Sequence, residues 1–89
     1  MPYITKSRRL HYDVPIGFLV NAFHEQGEQA GDLTYILYAL TKRIADRGEP
    51  RYARLSMILA ALRDAADEFR DRVLSHHEYK KRMENGDVS

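Results

Sequence analysis

The chain has no cysteine, which removes disulfides, thiolate catalysis and cysteine-based zinc sites, and fits a reducing cytoplasm. It has no excess of either charge. Fourteen basic and 13 acidic residues leave a net charge of +1, without the clear basic surplus of a dedicated nucleic-acid binder. No run approaches the ~18–20 apolar residues that cross a bilayer, and the opening MPYITKSRRLHYDV lacks the apolar centre of a signal peptide. A cytoplasmic protein without membrane association is expected. Also missing are a nucleophile elbow, a phosphate loop, a dinucleotide fingerprint and an HExxH pair. These absences predict a protein that is not an enzyme and holds no cofactor.

What is present points to helices. A chain of 89 residues, 44% apolar and 30% charged, makes one globular domain at most. Chains of that size bury roughly 60–65% of their unfolded surface, which leaves little margin. Residues 1–13 show no clean period and read as an extended arm, with Tyr3, Ile4, Leu10 and Tyr12 able to tack it onto a core. Asp13 reads as an N-cap with Pro15 in the first turn. Phe18, Leu19, Ala22 and Phe23 then form one face of a short helix that ends near Gln26, broken by Gly27.

Asp32 reads as the cap of a second helix, whose Leu33, Ile36, Leu37, Leu40 and Ile44 make the clearest amphipathic stripe in the chain. Gly48 is placed for a left-handed C-cap. The third helix is expected from about Arg51 to Arg82. Its Leu55, Leu59, Leu62, Ala66, Phe69, Val73 and His76 are spaced 4, 3, 4, 3, 4, 3, an a/d heptad seam. Such a helix reaches roughly 45 Å, longer than two short helices can cover. Two outcomes follow from that mismatch. Either the uncovered seam pairs with another copy, or the helix breaks near Ser75 and folds back. The first is the leading expectation, with Leu55, Leu59, Leu62, Ala66, Phe69 and Val73 as the oligomer interface. Residues 84–89 form a tail that turns at Asn85-Gly86.

Candidate chemistry is sparse. His76 and His77 are adjacent, so on a helix their rings diverge by about 100° and cannot chelate one metal together. No metal site is expected. His24 and Glu28 stand four apart across Gly27, a weak signal. Carboxylates at 64, 67, 68 and 71 interleave with Arg63, Arg70 and Arg72, the pattern of a solvated face with ion pairs Arg63–Asp67 and Glu68–Arg72. Basic residues recur beside tyrosines in KSRRLHY, RGEPRYAR and HHEYKKR. Arg8, Arg9, Arg47, Arg51, Tyr52 and Arg54 are the candidates for an anion or ligand site, since arginine neutralises phosphate and tyrosine stacks bases.

Several short stretches carry a resemblance. Met1-Pro2-Tyr3-Ile4, Gly31-Asp32-Leu33-Thr34-Tyr35, Arg51-Tyr52-Ala53, Glu68-Phe69-Arg70 with Arg72, His77-Glu78-Tyr79-Lys80-Lys81 and Glu84-Asn85-Gly86-Asp87-Val88 resemble a small uncharacterised family of bacteria, archaea and phages. Its members begin MPYI, carry a GELNY-like element and end in NGDV plus an aromatic residue. The chain departs from that pattern at Asp32, Thr34, His76-His77 and Ser89. The resemblance implies a domain spanning the whole chain and a phage or mobile-element setting, and it brings no known activity.

The sequence therefore predicts an all-α single domain over residues 1–89: an N-terminal arm and short helices packed on one long C-terminal helix. The expected role is that of a non-enzymatic, self-associating interaction protein, an accessory factor that binds a host or phage macromolecule. The alternative is a nucleotide or nucleic-acid binding module that uses the Arg/Tyr clusters at an oligomer interface.

Overall fold

In the computed structural model, the residues described are 4–86. All regular structure among them is helical, in the order α1 (Lys6–Glu25), α2 (Ala30–Asp46), α3 (Tyr52–Phe69), a π-turn (Arg70–Leu74) and α4 (Ser75–Glu84). The all-α expectation holds. The chain divides into two units, Pro2–Pro50 and Arg51–Ser89.

The first unit contains α1 and α2. α1 starts seven residues earlier than Asp13, so most of the expected extended arm is helix. Thr5 is the N-cap, with its Oγ1 accepting from the Arg8 N–H at 3.4 Å and Arg9 Nε donating to the Ile4 carbonyl at 3.2 Å. Pro15 therefore lies inside the helix rather than in its first turn. There it removes the N–H that would bond the His11 carbonyl one turn back. Strong helix formers (Lys6, Arg8, Arg9 and Leu10) carry the backbone up to it. The missing apolar period over these residues reflects exposure on every side, not an extended chain. Leu10 and Val14 are both exposed.

α1 ends as expected. Gln26 is the C-cap and Gly27 adopts φ +92°. The Glu28 N–H donates to the Phe23 carbonyl at 3.1 Å, and the Gly27 N–H to the His24 carbonyl at 3.0 Å. These are the paired bonds of a Schellman ending. Glu28 itself sits at φ 55°, and its Oε2 meets His24 Nδ1 at 2.9 Å. The His24–Glu28 spacing is thus a clip across the turn between α1 and α2.

α2 begins at Ala30, with Gln29 as N-cap and no side-chain capping bond. Asp32 is not the cap. It lies in the first turn, where a carboxylate complements the helix dipole. Thr34 and Thr41 return their hydroxyls to the Ala30 and Leu37 carbonyls, at 3.1 and 2.6 Å. The helix ends at the C-cap Arg47, and Gly48 does not take the left-handed conformation expected of it. Its N–H instead bonds the Ala45 carbonyl at 3.3 Å, a tightened last turn that needs no positive φ.

The second unit is one helical run. α3, the π-turn and α4 contribute 18, 5 and 10 residues, 33 in all. The backbone stays right-handed helical through the joints at Phe69, Arg70, Leu74 and Ser75. There is no fold-back at Ser75. What the heptad count missed is the π-turn, closed by the Ser75 N–H on the Arg70 carbonyl. The run ends at Glu84, capped by Asn85, and Gly86 is left-handed at φ 71°. The expected turn at Asn85-Gly86 is present, one residue past the proposed start of the tail. Residues 87–89 and the MPY opening lie outside the described residues.

Candidate self-association surface

Neither unit contains a buried residue among those described. In the first unit, Ile16, Leu19, Val20 and Phe23 of α1 face Leu33 and Ile36 of α2 across an open groove. Two further grooves share Leu19, Tyr35 and Ile36, and one of them has a volume of ≈ 250 Å³. Gln26, Asp32, Arg43 and the Tyr35 hydroxyl bring polar groups to these two grooves, and neither groove holds all four. The spacing of Leu33, Ile36, Leu37, Leu40 and Ile44 predicts one amphipathic stripe. The structure splits them: Ile36 is half-buried against α1, while Leu33, Leu37, Leu40 and Ile44 stay 44–49% exposed.

In the second unit, the six expected interface residues lie on one run. Leu55, Leu59, Leu62, Ala66 and Phe69 are on α3, and Val73 is within the π-turn. All six are exposed, and the five large ones range from Leu62 at 36% to Phe69 at 61%. A π-turn takes one extra residue to complete its circuit. Beyond Phe69 the seam is therefore displaced by one position. The line of Leu62, Ala66 and Phe69 continues over Leu74, His77 and Lys81 instead of Val73, His76 and Lys80. His76 is consequently not the end of the seam.

The polar face is as the sequence suggests, with one exchange. Glu68 pairs with Arg72. Asp67 meets Arg70 at 4.0 Å in place of the expected Arg63, and Arg70 also lies 3.8 Å from Asp71. Lys81 meets Glu84 at 3.5 Å. Among the described residues no three His, Asp or Glu side chains converge as metal ligands would.

The six Arg/Tyr candidates are divided. Arg8 and Arg9 sit in the first turn of α1 and Arg47 caps α2, all in the first unit. Arg51 caps α3, with Tyr52 and Arg54 in its first turn, in the second unit. Neither unit by itself assembles the six into one site. Tyr52 is 86% exposed, while Arg54 is half-buried.

These features define a class: a protein all-helical over its described residues, with apolar side chains exposed along the helices of each unit. No helix among the described residues is long and apolar enough to cross a membrane. The chain belongs to the family described as Domain of unknown function (DUF6899), whose model matches residues 1–88. No curated protein and no solved structure matches it.

Proposed function

We propose that the protein is a non-enzymatic interaction module that assembles with copies of itself along the helical run from Tyr52 to Glu84. The observation that carries this reading is the exposed seam: Leu55, Leu59, Leu62, Phe69, Val73 and Leu74 lie along one helical run and stay 36–61% exposed. Helices draw most of their stability from packing an apolar face, so these seams need covering for the fold to persist.

The assembled protein then acts by binding rather than by chemistry, as an accessory factor of a phage or mobile element that engages a host or phage macromolecule. The MPYI, GDLTY and NGDV stretches support that setting, and the apolar, non-convergent grooves support binding over catalysis. A cytoplasmic location accords with the cysteine-free composition. Sedimentation at micromolar concentration tests the reading. Multiples of 10.4 kDa are expected for the natural chain, and dissociation for a Leu62→Asp, Phe69→Asp double variant. A natural chain that sediments only as the monomer overturns it.

A further inference from the structure

We infer that the segment around the π-turn pairs antiparallel with the same segment of a second copy, about a two-fold axis at Leu74. This rests on the self-association reading and specifies the part of the run that meets its copy, and the direction.

Reach is the first observation. α1 and α2, of 20 and 17 residues, are roughly 30 and 26 Å long, whereas the run from Tyr52 to Glu84 is roughly 50 Å. Neither helix of the first unit matches the run in length, and Phe69, Val73 and Leu74 are 45–61% exposed.

Phase is the second. The π-turn keeps Leu74 in line with Leu62, Ala66 and Phe69, so an apolar line runs unbroken to the middle of the run's C-terminal half. It ends there, because His77 and Lys81 follow.

Charge is the third, and it selects a second copy as the occupant. Between residues 64 and 71 the run carries four carboxylates and one arginine, while Lys80, Lys81 and Arg82 are consecutive bases near its end. Glu68 and Lys80 lie six residues either side of Leu74, on the same flank of the re-phased line. Arg70 and Glu78 lie four either side, on the other flank. In an antiparallel pair like flanks face each other. A two-fold axis at Leu74 therefore sets Glu68 opposite Lys80 of the second copy and Arg70 opposite Glu78, and symmetry makes each contact twice. Glu68 already pairs with Arg72, so Lys80 of the second copy extends an ion pair. Parallel pairing would instead lay the two Lys80–Arg82 blocks side by side, which like charges oppose.

The cysteine-free chain gives a direct test. Leu74→Cys and Leu62→Cys are made singly, oxidised and run on non-reducing gels, with circular dichroism confirming that each is helical. Leu74→Cys should form a disulfide-linked dimer, because the axis brings its two copies within the ~7 Å a disulfide spans. Leu62→Cys should not, since antiparallel copies of residue 62 stand roughly 36 Å apart along the helices. Lys80→Glu should weaken the dimer about tenfold, and adding Glu68→Lys should restore it. Cross-linking at Leu62→Cys, or none at Leu74→Cys in a protein that sediments as an oligomer, overturns the antiparallel pairing alone. A monomeric natural chain overturns both readings.

Discussion

At the scale of single residues, the backbone does more than the side chains. Gly27 holds φ +92° at the turn between α1 and α2, in a conformation that costs an L side chain about 1–2 kcal/mol. A Cβ there would meet nothing within 4 Å, so the cost of Gly27→Ala is conformational only. We expect a loss of about 1–2 kcal/mol in urea unfolding. Gly31 is the opposite case: it lies inside α2, and a Cβ there also meets open space. Gly31→Ala should add about 0.5–1 kcal/mol. A matched pair of urea titrations separates the two, and equal signs would contradict the turn geometry. Lys42 offers a pH test. Hydrogen bonds from its Nζ to Asp46 at 2.7 and 2.9 Å, then the Asp46 charge, raise its pKa above the ordinary 10.5. A base whose pKa rises on folding stabilises fully below its unfolded value and loses that contribution as pH climbs through the folded one. Asp46→Asn should therefore change the pH dependence of thermal melting on the alkaline side, above about pH 10.5. A difference in slope near neutral pH would have another origin.

At the scale of elements, the sequence was most legible where apolar spacing and glycine agree. The end of α1 at Gln26-Gly27 and the Asn85-Gly86 turn follow from such pairs of signals, and the third run from apolar spacing that no glycine or proline interrupts before Gly86. Two of the misses share one cause, which is that a residue suited to two positions was assigned the commoner one. Asp13 before Pro15 has the form of a helix start, yet Thr5 caps the helix and Pro15 is carried inside. Asp32 suits an N-cap and equally the first turn, where it lies. The π-turn had no signal in the spacing, because Phe69, Val73 and His76 fit an uninterrupted heptad as well as a displaced one. Val73 and Leu74 are adjacent and both apolar, so either register keeps the seam greasy at that level. The candidate interface was therefore legible as a run of residues but not as a phase. Its importance is tested by Leu62→Asp with Phe69→Asp, which should abolish assembly in sedimentation while Arg51→Ala with Arg54→Ala leaves it intact. Loss of assembly in the arginine variant would tie the first turn of α3 to the interface instead.

At the scale of the whole molecule, each unit exposes its apolar residues. Two units with no buried residue among those described hold little stability of their own, and a fold completed by association carries its stability in the concentration of protomers. Thermal melting should therefore rise with protein concentration, whereas a self-sufficient monomer would melt at one temperature throughout. The most direct measurement is native mass spectrometry of the purified protein at micromolar concentration. The account requires defined multiples of the 10.4 kDa chain that collapse to single chains on Leu62→Asp with Phe69→Asp. A folded, helical species of one chain, unchanged by that double substitution, would contradict it.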